Sequence, residues 1–283
     1  MSQRVTIGAV RFLNAAPLVH GLAERADVRL RLEDPSALAP LLLAGDVDAA
    51  LVPAIEYFRL SAEAQERVRP REPRAGSLAP FVILPVAAIV SSGPIGSIRL
   101  FGYAPMANLR RVLLDPASRS ANAMTRILFA RRFGGRPHFA LPHEVGPERA
   151  RGPDAELLIG DRGLAAERPE AEWVLDLGLE WNRFVHRPFV YAVWVARADA
   201  PLARLAELLD AARDAGLAAR EELATRAEAE RGIPIDVARR HLESQVKYAF
   251  GRKEREGLMA FYRMAAEEGL APPGGRLRLA QGT

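Results

Sequence analysis

The sequence contains no cysteine, which excludes disulfide bonds, thiolate catalysis and cysteine-bound metals. It has no run of 18 apolar residues, so we expect no transmembrane helix and no membrane partner. The N-terminus leads directly into a strand-like segment without the apolar region of a signal peptide, which predicts a cytoplasmic protein. At 283 residues, the chain is long enough for one large domain or two ordinary ones.

Lysine is almost absent from the sequence, which contains only Lys247 and Lys253. The many arginines are dispersed among acidic residues and are not clustered with aromatic residues, so we expect no nucleic-acid partner. The net charge of +4 still favours the capture of an anionic small molecule.

The motifs of several enzyme classes are also missing. There is no glycine-rich phosphate loop, no dinucleotide-binding Gly-x-Gly-x-x-Gly and no hydrolase Gly-x-Ser-x-Gly. The five histidines do not have the spacing of metal ligands; His138 and His143, for example, lie in a proline-containing segment. Nucleotide-binding, dinucleotide-binding and hydrolase functions therefore have no support.

The sequence contains two copies of a short segment in which Asp-Ala leads into an apolar run. Residues 48–53 read Asp-Ala-Ala-Leu-Val-Pro, and residues 154–161 read Asp-Ala-Glu-Leu-Leu-Ile-Gly-Asp. Each predicts a short buried strand that ends in proline or in Gly-Asp. Ligands of open α/β sheets bind outside the carboxyl ends of the strands. Two copies therefore predict two similar α/β lobes that face each other across a cleft.

Two continuous apolar runs, at 81–90 and 189–195, predict buried strands that cross between the lobes. We predict a first lobe from 1–86 plus 190–283, with C-terminal helices, and a second lobe from 87–189. Further predicted features are helices at 34–45, 121–132, 202–231, 237–250 and 254–268, a surface loop at 69–80 and a loose tail from residue 271.

Several polar residues lie where predicted strands turn into helices. Asn14 follows the first strand, and its amide can both donate and accept hydrogen bonds, although a simple turn or cap is the alternative. Ser36, Ser118 and Ser120 lie at predicted helix starts, where backbone amides attract carboxylates. These serines predict an anion site, with ordinary helix caps as the alternative.

Two further candidates lie at predicted strand ends. Ser91 begins the segment Ser-Ser-Gly-Pro after a buried strand, where it could bind a substrate or simply form a turn. Asp161 ends the second copy of the repeated segment. It could accept a substrate hydroxyl, or act as an acid or base if the closed cleft raises its pKa. The alternative for Asp161 is a structural cap of the following helix.

An ordered set of motifs resembles the chorismate dehydratase family of the futalosine route to menaquinone. The segment Phe-Leu-Asn-Ala-Ala-Pro-Leu at 12–18 is similar to that family's Tyr-Leu-Asn-Ala-x-Pro-Leu. Other matching segments occur in the expected order between residues 5 and 262. They lie at 35–36, 45–48, 52–57, 91–97, 114–115, 118–120, 157–161, 181, 188–194 and 248.

The resemblance implies an α/β fold of the type II periplasmic-binding-protein-like class, with two α/β lobes around a central cleft. It also implies a carbon–oxygen lyase that converts chorismate to 3-[(1-carboxyvinyl)oxy]benzoate and water without a metal or redox cofactor. It implies that Asn14, Ser91 and Asp161 are catalytic and lie nearest the reacting ring. The expected substrate-binding residues are Ser36, Pro53, Ser92, Gly93, Ser118, Arg119 and Ser120.

The chain departs from the family pattern in two places. The family usually has Thr-Ser where this chain has Ser120-Ala121, and Thr-Gly-Leu where it has residues 185–187. Asp161 and Glu56 are the only strong bases near the matched motifs. We therefore hypothesise that the enolpyruvyl carboxylate of the substrate takes the ring proton, while Asn14 and Ser91 position it.

Three alternatives remain from the sequence. The sister family that makes 1,4-dihydroxy-6-naphthoate in the same pathway has the same fold, and we expect a histidine base there. A non-catalytic small-anion-binding protein of a transporter should carry an export signal or a lipid-anchor cysteine. A transcriptional ligand sensor needs a DNA-binding helix pair. The oligomeric state is not predicted.

Overall fold

The chain forms two five-stranded sheets in a computed structural model that describes residues 4–68, 81–145 and 152–280. The loop predicted at 69–80 lies outside these residues. The first sheet has the order β2-β1-β3-β10-β4, and the second has the order β7-β6-β8-β5-β9. The strands are β1 (Val5–Val10), β2 (Val28–Glu33), β3 (Ala49–Pro53), β4 (Phe81–Ser91), β5 (Ile98–Gly102), β6 (Arg111–Leu113), β7 (His138–Ala140), β8 (Ala155–Ile159), β9 (Trp173–Asp176) and β10 (Phe189–Arg197).

Helices follow the strands in both halves of the molecule. A short 3₁₀ helix at Leu13–Leu18 follows β1. The described helices are α1 (Pro35–Ala44), α2 (Ala54–Val68), α3 (Arg119–Leu128), α4 (Gly160–Ala165), α5 (Leu177–Val185), α6 (Leu202–Ala218), α7 (Arg220–Arg231), α8 (Ile235–Arg240) and α9 (Arg252–Glu267). Within the described ranges, no helix combines the length and the apolar character needed to cross a membrane.

The repeated segment forms β3 and β8, as predicted, and its first aspartate has the same structural role in both copies. Asp48 Oδ2 accepts the backbone N–H of Thr6 at 2.8 Å, and Asp154 Oδ2 accepts that of Arg111 at 2.8 Å. Each carboxylate thereby ties the start of its strand to the neighbouring parallel strand, β1 or β6. The repeat therefore encodes two related parallel-strand units, one in each sheet.

The long apolar strands β4 and β10 pair antiparallel and are almost entirely buried, which confirms their prediction as core strands. Both belong to the first sheet. β4 continues in that sheet to Ser91, beyond the lobe boundary at residue 86, and the second sheet begins at Ile98. The exact lobe boundaries stay a prediction.

The C-terminal part of the chain differs from the sequence-based expectation in three places. The helix predicted over 202–231 is two helices, α6 and α7, with Ala219 between them. The helix predicted over 237–250 ends at Gln245, because Lys247 leaves it and exchanges backbone hydrogen bonds with Val90 on β4.

The tail after residue 271 is also not loose as far as it is described. Ile83 on β4 donates to the carbonyl of Arg278 at 2.8 Å, and Ala280 donates to the carbonyl of Ile83 at 2.9 Å. β4 is an edge strand of its sheet, so its unpaired backbone groups need partners. The segments around residues 247 and 279 supply them.

Candidate active site

A pocket lies between the two sheets, at the carboxyl ends of β1, β3 and β8. Its cavity volume is about 50 Å³, and further space around this cavity is open to solvent. Both halves of the molecule contribute to its walls. The lining residues are Val10, Phe12, Asn14, Pro35, Pro53, Ile89, Ile95, Ser97, Ile98, Ser118, Ile159, Gly160, Tyr191 and Ala192.

Several helices begin at this pocket. Pro35 is the first residue of α1, Pro53 directly precedes α2, and Ser118 caps α3 by accepting the N–H of Ala121 at 3.2 Å. Gly160 begins the short helix α4 in the same wall. The starts of helices carry unpaired N–H groups and partial positive charge, so this arrangement suits an anionic ligand.

Two polar atoms in the pocket wall lack partners. Asn14 Oδ1 and Ser97 Oγ are buried, and neither has a hydrogen-bond partner among the described residues. Asn14 comes from the first half of the chain, and Tyr248 holds its backbone by donating to its carbonyl at 3.0 Å. Ser97 comes from the segment that leads into β5. Buried polar atoms are normally paired, so both atoms are candidates for ligand contacts.

Ser91 reaches the pocket only through Tyr191. The hydroxyls of Ser91 and Tyr191 lie 2.9 Å apart, and Tyr191 lines the pocket whereas Ser91 does not. Burial raises the pKa of Tyr191, so its phenol stays protonated and neutral. Gly178 allows the pair to form, since a Cβ there would lie within 2.9 Å of both hydroxyl oxygens.

Asp161 lies beside the pocket, but both of its carboxylate oxygens are already bonded. Oδ1 accepts the backbone N–H of Leu13 at 2.8 Å, and Oδ2 accepts Nη1 of Arg231 at 2.6 Å. Asp161 therefore connects the start of α4 to the 3₁₀ helix after β1 and to the end of α7. In this geometry Asp161 links the two halves of the molecule, and its acid–base role stays a prediction.

Replacing either partner of this tether is expected to have the same effect. Asp161→Asn and Arg231→Gln should each lower the free energy of unfolding by about 1 kcal/mol and change kcat less than about threefold. The double variant should be no worse than either single one, because both changes break the same contact. Thermal unfolding and steady-state kinetics of the three variants test this. A kcat loss of about a hundredfold in Asp161→Asn alone would contradict this expectation and support the acid–base role.

Arg119 and Ser120 were predicted to bind substrate, but in the structure they make contacts between helices and do not line the pocket. Ser120 Oγ accepts the backbone N–H of Ile55 at 3.3 Å, which joins the starts of α2 and α3. Arg119 donates to Glu56 at 3.1 Å, and Glu56 also accepts from Arg59 at 2.9 Å. These contacts hold α2 and α3 together, and they engage Glu56 in two ion pairs.

The remaining predicted residues separate into two groups. Asn14, Pro53 and Ser118 line the pocket, as expected for binding residues. Ser36 and Ser92 are exposed, and Gly93 is buried outside the lining. The sequence did not predict a site role for Ser97 or Tyr191. Both lie in segments that match the family, at 91–97 and 188–194, but Tyr191 lies inside an apolar strand and Ser97 just before a strand, where neither residue type indicates a contact with the pocket.

The pocket offers almost no titratable group. Of the described residues that line it, Tyr191 alone has a titratable side chain, and the walls are otherwise apolar or neutral. His241 contacts the wall from behind and is fully buried. Its Nδ1–H donates to the carbonyl of Ile95 at 3.0 Å, and Nε2 has no partner among the described residues.

The buried His241 is expected to make stability depend on pH. Burial lowers its pKa below the usual 6.5 and outweighs the opposing effects of the hydrogen bonds to Gln245 and Ile95 and of the nearby carboxylates. Below the pKa that this histidine has in the unfolded chain, the unfolded state binds more protons than the folded state. The free energy of unfolding therefore decreases as the pH falls. His241→Asn keeps a donor for Ile95 but cannot titrate. Its melting temperature should therefore fall less than that of the wild type between about pH 7 and pH 5; parallel curves would contradict this.

Comparisons with known proteins match almost the whole chain. A family model described as menaquinone biosynthesis matches residues 5–65 and 77–267. Chorismate dehydratase of Thermus thermophilus is 31% identical over 272 residues, covering 90% of this chain and 93% of that protein.

Solved structures show the same fold at low sequence identity. A protein of Archaeoglobus fulgidus aligns with a TM-score of 0.70 at 16% identity, covering 94% of this chain and 98% of its own. The periplasmic aliphatic sulphonate binding protein SsuA of Escherichia coli aligns with a TM-score of 0.61 at 16% identity, covering 100% of this chain and 95% of its own. The predicted α/β, periplasmic-binding-protein-like fold is thereby confirmed.

Proposed function

The chain belongs to the menaquinone biosynthesis family, and on that premise we propose that it is a chorismate dehydratase. The proposed reaction converts chorismate to 3-[(1-carboxyvinyl)oxy]benzoate and water, which makes the protein a carbon–oxygen lyase. The observation that carries this proposal is the pocket itself. Three longer helices, α1, α2 and α3, begin at its edge, while its walls are apolar and its polar side chains are neutral.

Chorismate fits these features chemically. It is a dianion, and helix starts stabilise carboxylates without a lysine or arginine in the wall. The unsaturated carbons of its six-membered ring are apolar, which suits walls formed by Ile89, Ile95 and Ile159. The net positive charge of the chain favours its capture from solution.

The proposed reaction needs one proton acceptor and one leaving hydroxide. The proton leaves the ring carbon that carries the enolpyruvyl ether, and the electron pair moves toward the ring carboxylate. Hydroxide then leaves the neighbouring carbon, takes up the proton as water and leaves an aromatic ring. Donors near the ring carboxylate stabilise the charge that develops there.

The described residues that line the pocket include no carboxylate, imidazole or amine to accept that proton. This supports the hypothesis that the enolpyruvyl carboxylate of the substrate is the base. Holding this carboxylate against the ring proton is a proximity effect, which can supply a large part of the rate. In this proposal Asn14 holds the departing hydroxyl, Tyr191 contacts the substrate, and Ser91 positions Tyr191. Asp161 and Arg231 hold the two halves of the molecule together.

Two alternatives make different demands on the pocket. A 1,4-dihydroxy-6-naphthoate synthase with a histidine base needs an imidazole in the wall, and no histidine is among the lining residues. A non-catalytic anion-binding protein needs only the fold, which two sulfonate-binding proteins share. The cytoplasmic location predicted from the sequence stays part of the dehydratase proposal.

Incubation of the purified protein with chorismate alone tests the proposal. Mass spectrometry should detect loss of one water and formation of the aromatic enolpyruvyl ether, with heat-inactivated protein as the control. Parallel incubation with a cyclic futalosine should give no product. Tight binding of chorismate without any product would instead support a non-catalytic binding protein.

A further inference from the structure

We propose that Ser97 is a substrate-binding residue that donates a hydrogen bond to a substrate carboxylate, opposite Asn14. This inference rests on the proposed function, because it assigns one residue's role within the same pocket. It concerns a residue that the sequence did not single out as a site residue, and it defines which side of the pocket holds which group of the ligand.

The buried position of Ser97 indicates that its hydroxyl has a hydrogen-bond partner when a ligand is bound. The residue is 1% exposed, its Oγ is buried, and that oxygen has no hydrogen-bond partner among the described residues. An unpaired buried hydroxyl destabilises a folded protein. Ser97 also lines the pocket, so a ligand there is the partner that its hydroxyl can reach.

The segment that carries Ser97 is held rigidly by its neighbours. Asp176 accepts the backbone N–H groups of Ile95, at 3.0 Å, and Gly96, at 2.6 Å. His241 donates to the carbonyl of Ile95. The carbonyl of Ser97 packs against Gly163, where a Cβ would lie only 2.3 Å away. A binding group on a fixed backbone loses little freedom when the ligand arrives.

The chemistry of the two unpaired atoms defines the orientation of the ligand. Asn14 Oδ1 is an acceptor and therefore takes a hydroxyl group, whereas the hydroxyl of Ser97 can donate to an anion. Ser118, which also lines the pocket, uses its oxygen as the cap of α3 and keeps its own proton for donation. Ser97 and Ser118 thus form a carboxylate subsite on the side of the second sheet. The hydroxyl that leaves the ring then faces Asn14.

The test compares Ser97→Ala with Ser244→Ala, a control at an exposed serine outside the pocket. Calorimetric titration with chorismate should give a Kd about ten- to a hundredfold higher for Ser97→Ala, the usual loss for a hydrogen bond to a charged group. Ser244→Ala should bind like the wild type. The melting temperature of ligand-free Ser97→Ala should stay equal or rise, because an unpaired hydroxyl has been removed, while the stabilisation by chorismate should decrease.

The outcomes separate this inference from the proposed function. Equal Kd values for Ser97→Ala and Ser244→Ala would overturn the role of Ser97 even if the wild type forms product. A wild type that binds chorismate without product would overturn the dehydratase proposal, while the Kd comparison would still decide the role of Ser97. A wild type that does not bind chorismate would overturn both.

Discussion

Asn14→Ala is expected to lower kcat/KM for chorismate by at least about a hundredfold, the usual effect of losing a polar group aimed at the reacting atoms. Asn14 Oδ1 is the unpaired acceptor on the first-sheet side of the pocket. Without the amide, the departing hydroxyl loses its partner and the ring loses its orientation against the enolpyruvyl carboxylate. Steady-state kinetics at saturating and low chorismate separate the loss of kcat from weaker binding.

An exposed asparagine provides the matched control for this variant. Asn108 lies on the surface outside the pocket, so Asn108→Ala should keep the activity of the wild type. Circular dichroism and thermal unfolding should show that both variants are folded. If folded Asn14→Ala retains activity within about threefold of Asn108→Ala, Asn14 does not contact the reacting part of the substrate.

Asp115→Ala is expected to lower the free energy of unfolding by about 3 kcal/mol. The Asp115 side chain is fully buried and holds three donors: the backbone N–H of Ala117 at 2.9 Å, that of Ile159 at 3.1 Å, and Arg162 at 2.6 Å. Its removal leaves the N–H of Ile159 unpaired in the interior. Ile159 ends β8 and lines the pocket, so activity should decrease as well.

The control for Asp115 is an aspartate whose ion pair is exposed. Asp199 pairs with Arg197 at the surface, and Asp199→Ala should cost less than about 1 kcal/mol. Urea or thermal unfolding of both variants measures the difference. If Asp115→Ala lowers the free energy of unfolding no more than Asp199→Ala does, the link that Asp115 makes between β6 and β8 does not stabilise the fold.

The sequence predicted the parts of the fold that depend on local pattern. β3 and β8 were recognisable because an aspartate precedes a short apolar run in both segments, and each strand leads to the pocket. The buried strands β4 and β10 were recognisable because their apolar runs are long and bounded by polar residues. Helix starts at Pro35 and Ser118 followed from proline and cap preferences.

Other features depend on residues that are distant in the sequence. Asp161 looked available because nothing near it in the chain could occupy its oxygens. Its partners, Leu13 and Arg231, lie 148 and 70 residues away. Ser97 and Tyr191 face the pocket only because two sheets meet there, which no local pattern shows. The segments at residues 247 and 279 are ordered only because β4 is an edge strand.

The most direct test of the central claim is a crystal structure of Asn14→Ala soaked with chorismate. The claim is that the pocket between the two sheets is where chorismate loses water. We expect electron density for the ligand in this pocket, with its ring against Ile95 and Ile159 and a carboxylate within hydrogen-bond distance of Ser97. Chorismate bound elsewhere on the protein, with this pocket unoccupied, would contradict the claim.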